Sequence, residues 1–354
     1  MKRIIFTGGG TAGHVTPNVA LLEHFDRAEW EIHYIGSKSG MEEEIIKKVP
    51  QVEYHGIDTG KLRRYHSMKN FADAVHVIEG YAEARHLIHA IRPEVVFSKG
   101  GYVSVPVVAA AKGHCPIICH ESDYTPGLAN KLTARFADTV CVTFEDTLPY
   151  IKGGKGVWTG TPVRPELFRG NREEGLRFAG LAGEKPVLLV MGGSQGAQAV
   201  NEALRQALDK LLPSYDIIHL CGKGKKDDTC GRAGYAQFEY IDEQMKDLLA
   251  AADIVLSRSG ANTVFELLAL KKPALFVPLP LSASRGDQIL NADYCVKKGY
   301  AEKLSQEAMT ADTLSEALHS LYHQRDTYIR AMESCPGSKG TEKITEIIKA
   351  AVQK

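Results

Sequence analysis

The chain has 354 residues, of which 44% are hydrophobic and 24% charged, and its 43 Lys and Arg residues balance its 43 Asp and Glu residues. This length suffices for two domains whose cores need no disulfide or metal. A formal net charge of zero lacks the basic excess that is typical of proteins that bind nucleic acid. The seven cysteines are widely spaced and form no Cys-x-x-Cys pair, which favours reduced thiols over a disulfide framework or a zinc site.

The sequence predicts neither a signal peptide nor a membrane span. A strand begins within three residues of the N-terminus, with no charged-then-apolar signal pattern before it. No window approaches the roughly 18 continuous apolar residues that a membrane-spanning helix needs. We therefore expect the protein to stay inside the cell, which leaves attachment to a membrane surface open.

In chain order, the first 150 residues alternate short β-branched runs with longer amphipathic segments. The runs are RIIFT, EIHYIG, VEYHGI, EVVFSKG, PIICHE and TVCVTF. Between them, MEEEIIKKV and residues 70–91 carry apolar side chains at helical spacing. Alternation of strand and helix predicts a parallel sheet that is covered by helices on both faces.

A change of character at residues 156–175, GVWTGTPVRPELFRGNREEG, predicts a linker, because glycine, proline and scattered charges replace the periodic pattern. The alternation then restarts with PVLLVMGGSQGA, DIIHLCG, FEYID, DIVLSRSG and PALFVPL. The chain is therefore predicted to be an α/β protein of two Rossmann-like, doubly wound domains and not a solenoid. Such sheets bind ligands beyond the carboxyl ends of their strands, so two facing domains would share one cleft.

Four glycine-rich turns follow predicted strands. They are GGGTAGH (8–14), SKGGYVSVP (98–106), GGSQGA (192–197) and SRSGANTVFE (257–266). Glycine lets backbone N–H groups crowd around an anion, and a helix that starts there adds its positive dipole end. One such turn is explained equally well by the steric needs of a doubly wound fold. Four of them, placed alike in both halves, favour an anionic ligand.

The same turns argue against other nucleotide sites. GGGTAGH departs from the G-x-G-x-x-G register, although Glu29 and Glu31 keep a weak dinucleotide site open. No G-x-x-x-x-G-K-[ST] loop occurs, which argues against ATP binding of the P-loop type, and no Asp-x-Asp pair offers carboxylates to a metal. A bound diphosphate would therefore be neutralised by backbone amides and arginine, with no metal and no cofactor.

Seven motifs, in order along nearly the whole chain, resemble the MurG family of bacterial peptidoglycan glycosyltransferases. They are GGGTAGHVTP, SKGGYVSVP, HESDYTPGLAN, GTPVRPELF, GGSQGAQAVN, SRSGANTVFEL and DQILNA. The resemblance implies a GT-B fold with an acceptor and membrane-side domain at 1–163, a donor-binding domain at 164–340 and a final helix, 341–354, that packs back on the first. It also implies transfer of GlcNAc from UDP-GlcNAc to lipid I, giving lipid II, at the cytoplasmic face of the cell membrane.

Matching this sequence to the family's motifs implies the residues that bind UDP-GlcNAc. They are Thr11, Ala12, Gly13, Arg164, Ser194, Gln195, Gly196, Thr263, Glu266, Gln288 and Asn291. Arg164 and Ser194 would contact the diphosphate, and Glu266 would accept hydrogen bonds from the ribose hydroxyls. Gln288 would bond the GlcNAc ring, with Asn291 one helical turn later on the same face.

Three positions depart from the family's pattern. Ala12 stands where the family commonly has glycine, so φ there must be negative or strained. Asp123 replaces an amide that touches the donor sugar, and Thr161 stands where asparagine is frequent. These changes keep three alternatives open: a UDP-GlcNAc 2-epimerase, another glycolipid transferase, or a non-catalytic paralogue that only binds a sugar nucleotide.

The implied reaction is a single displacement with inversion, which needs a base near the acceptor hydroxyl and positive potential at the departing diphosphate. His14 is the candidate base because imidazole titrates near neutral pH, and Glu121 and Asp123 are rival candidates. The alternative for His14 is a purely structural role in its loop, and the alternative for the two carboxylates is helix capping. Arg258 is predicted to form an internal salt bridge instead of a phosphate contact.

Residues 61–92 contain six Lys and Arg residues against three Asp and Glu residues, together with four histidines. A basic amphipathic segment of this kind can bind an anionic bilayer surface. An ordinary surface helix explains the composition about as well. The lipid-linked acceptor implied by the resemblance favours the membrane surface.

Overall fold

The computed structural model of the chain describes residues 1–59, 69–193 and 197–352. The chain divides into two compact units, Met1–Arg164 together with Lys339–Lys354, and Pro165–Ser338. In the described ranges, no helix combines the length and the apolar character needed to cross a membrane. Residues 61–92, the segment predicted to bind a membrane surface, are described only from residue 69 onward.

The described residues form thirteen strands and thirteen α-helices. The strands are β1 (Lys2–Thr7), β2 (Trp30–Ser37), β3 (Val52–Ile57), β4 (Val95–Ser98), β5 (Ile117–Glu121), β6 (Thr139–Val142), β7 (Gly156–Trp158), β8 (Val187–Met191), β9 (Asp216–Leu220), β10 (Tyr235–Phe238), β11 (Ile254–Ser257), β12 (Ala274–Phe276) and β13 (Ala301–Lys303). The helices are α1 (Ala12–Leu22), α2 (Met41–Ile46), α3 (Lys69–Ile91), α4 (Ser104–Ala111), α5 (Leu128–Thr133), α6 (Arg172–Ala179), α7 (Gln198–Leu211), α8 (Met245–Ala251), α9 (Ala261–Ala269), α10 (Asp287–Lys297), α11 (Ala311–His323), α12 (Arg325–Glu333) and α13 (Gly340–Val352).

The first unit is built on a seven-stranded sheet in the order β3-β2-β1-β4-β5-β6-β7, with every pair parallel. Successive side chains of a strand point to opposite faces, so the apolar run of β1 supplies both sides of the sheet. Ile4 and Phe6 belong to one core cluster, and Ile5 belongs to the other. Because both faces are covered by apolar groups, the strands read as almost continuous apolar runs.

The second unit repeats this plan with a six-stranded parallel sheet in the order β10-β9-β8-β11-β12-β13. Leu188 and Val190 of β8 lie in a core cluster with buried side chains of α7 and α11. In each sheet the strand order reverses once beside the first strand of the unit, at β1/β4 and at β8/β11. The prediction of two doubly wound α/β units is confirmed.

The last helix of the chain, α13, belongs to the first unit. Thr341 Oγ1 accepts a hydrogen bond from the Val163 amide at 2.9 Å, and Ile344 lies in the same core cluster as β1. A Cβ on Gly340 would lie 2.3 Å from the Thr161 carbonyl oxygen, so the helix approaches residues 161–163 at a distance that only glycine permits. The chain therefore returns, after the second unit, to complete the core of the first.

Three details of the sequence prediction were wrong. The predicted linker, 156–175, includes the boundary between the two units but also contains β7 and the first half of α6, and β13 was not predicted at all. The strand expected at FEYID lies earlier, with Tyr235 paired to Ile217 and Phe238 to Leu220. Both missed strands have three residues and lie at sheet edges, so they are too short for a periodic pattern. The bounds of β10 are set by its pairing with β9, and a local sequence pattern does not reveal that pairing.

Candidate functional site

The first two glycine turns meet at the carboxyl edge of the first sheet. GGGTAGH follows β1 and SKGGYVSVP follows β4, which are neighbouring parallel strands at the point of order reversal. Gly101 has φ of +85°, and a Cβ there would lie 2.3 Å from the Gly9 carbonyl oxygen. The two turns are thus in backbone contact. A reversal point of this kind is where doubly wound sheets open a crevice for a ligand.

Buried side chains hold the first turn from behind. The Tyr34 hydroxyl donates to the Gly8 carbonyl at 2.7 Å. Glu42 is fully buried and accepts hydrogen bonds from the amides of Gly10 at 3.3 Å and Ser37 at 3.1 Å. The turn is therefore preorganised by partners that lie outside the glycine motif itself.

His14 lies in the first turn of α1 and is partly buried. Its Nδ1 is 3.0 Å from the Thr11 hydroxyl, and the Thr11 side chain makes no capping bond to the helix that it precedes. Burial, followed by the positive charge of Lys99, lowers the pKa of His14 to about 4. The imidazole is neutral at physiological pH and can accept a proton.

Lys99 follows β4 and is fully buried. Its Nζ lies 2.9 Å from His120 Nδ1 and also contacts the Ser122 hydroxyl. His120 Nε2 lies 2.9 Å from the Gly160 carbonyl, which can only accept, so Nε2 carries the hydrogen and Nδ1 accepts from the ammonium. Burial lowers the pKa of Lys99 to about 8. Burial of His120, followed by the positive charge of Lys99, lowers the pKa of His120 well below its usual value. The cluster places a buried cation beside His14.

Glu121 organises the HESDYTPGLAN loop. Its carboxylate accepts hydrogen bonds from the Asp123 amide at 2.9 Å, the Gly127 amide at 3.0 Å and the Asn130 side chain at 2.9 Å. Burial, followed by the Asp123 charge, raises the pKa of Glu121 to about 7. Three donors within one loop explain this buried carboxyl as a structural tie. Asp123 itself is partly buried in that loop.

A cavity of about 550 Å³ opens in the first unit beside His120 and Glu121. Its walls include Pro126, Lys131, Ala134, Arg135, Val140 and Ile151. The lining also includes Lys152 and Lys155, so apolar walls are combined with four cationic side chains, which suits a ligand with an apolar part and negative charge.

In the second unit, the other two glycine turns follow β8 and β11, again at the reversal of strand order. Three of the predicted donor-binding residues, Ser194, Gln195 and Gly196, lie outside the described residues. Thr263 and Glu266 are three residues apart on α9, so they share one face of that helix, and both are partly buried.

Helix α10 is tied to the SRSG turn. Gln288 Oε1 accepts from the Leu279 amide at 3.1 Å, and the Gln288 carbonyl accepts from the Ser259 hydroxyl at 2.7 Å. Asn291 is 1% exposed and donates to the Ser259 carbonyl at 3.0 Å. The geometry gives Asn291 a structural bond, and donor binding by Gln288 and Asn291 stays a prediction.

Arg258 is internal, as the sequence predicts, but its partners are neutral. Its guanidinium donates to the Val277 carbonyl at 3.0 Å and to Gln306 Oε1 at 2.6 Å. Arg258 therefore connects the turn after β11 to the end of β12 and to the segment after β13. It does so through hydrogen bonds to neutral groups, whereas the sequence analysis predicted a salt bridge.

The remaining predicted residues lie near the ends of elements. Thr11 is exposed and Gly13 partly buried at the start of α1, and Arg164 is partly buried at the end of the first segment of its unit. Ala12 is the first residue of α1 and is absent from the positive-φ residues of the described chain, so its φ is negative and unstrained. Thr161 is buried against α13.

Sequence reasoning missed Lys99, Glu42 and Asn130. Lysine directly between a buried strand and a Gly-Gly turn was the available signal for Lys99. Glu42 stands in a run of three glutamates that reads as a solvated helix start, and Asn130 reads as an ordinary helix residue. Their roles depend on contacts outside their own helices: Glu42 accepts from the Gly10 amide, and Asn130 donates to Glu121.

We expect Lys99→Met to raise the pKa of His14, because it removes the positive charge that disfavours protonation. The value should stay below 6.5, since burial is the larger cause of the depression. An NMR titration of the His14 ring measures it, with Lys131→Met on α5 as the control that leaves the pKa of His14 unchanged. An unaltered titration in Lys99→Met contradicts this account of the cluster.

Comparison with known proteins identifies relatives along the whole chain. Residues 4–142 match the glycosyltransferase family 28 N-terminal domain, and residues 187–350 match the glycosyltransferase family 28 C-terminal domain. A UDP-N-acetylglucosamine--N-acetylmuramyl-(pentapeptide) pyrophosphoryl-undecaprenol N-acetylglucosamine transferase of Lachnospira eligens is 52% identical over 99% of both chains.

Solved structures are similar to this chain over its whole length. The crystal structure of MurG from Acinetobacter baumannii has a TM-score of 0.76 and 25% identity, over 99% of this chain and 100% of that chain. A UDP-GlcNAc 2-epimerase from Neisseria meningitidis bound to UDP-GlcNAc has a TM-score of 0.67 at 13% identity, over 99% of this chain and 100% of that chain. That second likeness shows a shared fold alone.

Proposed function

This chain belongs to the MurG family of N-acetylglucosaminyltransferases, and we propose that it transfers GlcNAc from UDP-GlcNAc to lipid I, forming lipid II for peptidoglycan synthesis and so serving cell shape and division. The fold is of the GT-B type, with one Rossmann-like sheet in each unit. The observation that carries the proposal is the set of glycine turns at both reversals of strand order, together with 52% identity to a transferase of this specificity.

The second unit supports donor binding through α7 and α9. Helix α7 has fourteen residues and begins directly after GGSQGA, so its N-terminal amides and dipole favour the negative diphosphate. Arg164 would add a fork of donors to the same phosphates. On α9, the carboxylate of Glu266 is an acceptor-only group suited to the two ribose hydroxyls.

The first unit supports acceptor activation. A neutral His14 at the end of the first glycine turn would take the proton of the attacking hydroxyl while UDP leaves from the opposite side of the anomeric carbon. Thr11, Ala12 and Gly13 of the same turn would contact the sugar and diphosphate. Glu121 is the weaker candidate base, because loop amides and Asn130 already use its carboxylate.

We expect His14→Ala to lower kcat by about 10²–10⁴-fold, the usual contribution of a positioned base. The assay follows labelled UDP-GlcNAc and a short-chain lipid I analogue in EDTA. His24→Ala, just beyond the other end of α1, is the matched control with unchanged turnover. If the chain only binds a sugar nucleotide, wild type gives no product and the proposal fails.

The acid limb of kcat/KM distinguishes the candidate bases. Protonation removes a base as pH falls, and a His14 pKa of about 4 shifts that loss below pH 5. A limb near pH 7 would instead match Glu121, whose pKa is raised to about 7. A pH–rate profile of the free enzyme's kcat/KM decides between them.

We expect Glu266→Gln to weaken UDP binding by about tenfold to a hundredfold, because hydrogen bonds to a charged group contribute about 1.5–3 kcal/mol. Calorimetry with UDP in EDTA measures the change, and Glu316→Gln on α11 is the exposed control. Equal affinity of the Glu266 variant and wild type would remove the ribose contact from the proposal.

The acceptor is lipid-linked, and we propose that the protein binds the anionic surface of the cytoplasmic face of the membrane peripherally. Along α3, Ile78 is 68% exposed and Tyr81 37% exposed, and Arg85 is exposed four residues later. Spacings of three and four put these side chains on one helix face. Apolar groups beside a cation suit the headgroup region of a bilayer.

We expect Ile78→Glu to reduce binding to vesicles that contain anionic phosphatidylglycerol, since it removes an apolar contact and adds repulsion. Leu281→Glu in the second unit is the matched control, because Leu281 is 71% exposed and lies on a different unit. Co-sedimentation measures binding, and added salt should release wild type. Indifference of wild type to lipid charge contradicts the membrane proposal.

A further inference from the structure

Two imidazoles and a carboxylate converge on one face of the first sheet, away from the glycine turns. His33 of β2 is the register partner of Glu53 in β3, so the two side chains share a face. His55 lies two residues after Glu53 and returns to that face. β3 is an edge strand, and the cluster therefore joins the edge of the sheet to its neighbour.

The three side chains bring their ligand atoms within one coordination sphere. His33 Nδ1 lies 3.1 Å from His55 Nε2 and 3.4 Å from Glu53 Oε2, and His55 Nε2 lies 3.8 Å from Glu53 Oε1. Zinc bonds of about 2.0–2.1 Å in a tetrahedral site separate neighbouring ligand atoms by about 3.3–3.4 Å. The observed separations bracket that value.

A fourth side chain supports the arrangement from behind. His33 is 3% exposed, and its Nε2 makes no well-formed hydrogen bond among the described residues but lies 3.2 Å from Glu31 Oε1. A carboxylate beside the non-coordinating nitrogen holds a metal-bound histidine in the right tautomer and increases its basicity. Glu53 has a side chain 66% exposed, which leaves the cluster open to solvent.

We propose that His33, Glu53 and His55 form a binding site for a divalent transition-metal ion, zinc above all, with Glu31 as the positioning carboxylate. Two imidazoles and a carboxylate suit zinc, and three protein ligands leave the fourth position to water. The bound ion would clip edge strand β3 to β2, because binding free energy at a preformed site stabilises the folded chain. The site lies away from the glycine turns, so we expect it to take no part in glycosyl transfer.

The test uses the full-length, untagged protein after EDTA treatment and buffer exchange. We expect one equivalent of Co²⁺ to give the visible absorption of a tetrahedral site, and Zn²⁺ to displace it and raise the Tm. His55→Gln should abolish the spectrum, and Glu31→Gln should weaken Zn²⁺ binding about tenfold to a hundredfold.

The control is His89→Gln. His89 and His114 also have rings in contact, with centroids 4.6 Å apart, but they lie outside the cluster, so the spectrum should persist. The metal-free Tm of each variant shows that it folds. Absence of a one-equivalent Co²⁺ spectrum in wild type, or its persistence in a folded His55→Gln, overturns the proposal and leaves only an imidazole–imidazole hydrogen bond. Glycosyl transfer in EDTA should be equal in wild type and His55→Gln.

Discussion

The backbone contact between the two glycine turns of the first unit constrains which residues can stand at that edge of the sheet. Gly101 lies against the Gly9 carbonyl at a distance that excludes a Cβ, and its left-handed φ is one that side chains rarely adopt. Lys99, the residue directly before Gly100 and Gly101 in the second turn, is fully buried. Burial of His14 and His120 lowers the pKa of each, and the charge of the Lys99 ammonium lowers both further.

The buried groups at this edge have their pKa values pushed in opposite directions by the same physical cause. Burial disfavours the charged form, so the pKa of His14 falls and the pKa of Glu121 rises. His14 is left neutral at the end of the first glycine turn, whereas Glu121 accepts hydrogen bonds from donors of its own loop. The surroundings of each group thus separate the proposed base, His14, from a carboxyl that holds a loop, Glu121.

In the second unit, the buried polar side chains around the SRSG turn have neutral hydrogen-bond partners. Arg258 and Asn291 are both buried and donate to backbone carbonyls, which ties the SRSG turn to β12 and to α10. Such bonds compensate the burial of polar groups and position the turn rigidly. Thr263 and Glu266 are then presented on α9, which follows that turn directly. In both units buried polar side chains hold in place the turn that is expected to meet the ligand.

The sequence by itself determined the fold class, the repeat of one plan in two halves and the four turns, because hydrophobic period and glycine content are local properties. The family's motifs likewise pointed to His14 and Glu266 at strand-to-helix turns. Only the tertiary structure revealed the buried roles of Lys99 and Glu42 and the three-residue edge strands. It alone brought His33 beside His55, since which side chains meet across strands depends on register and strand order, and no single stretch of chain encodes either.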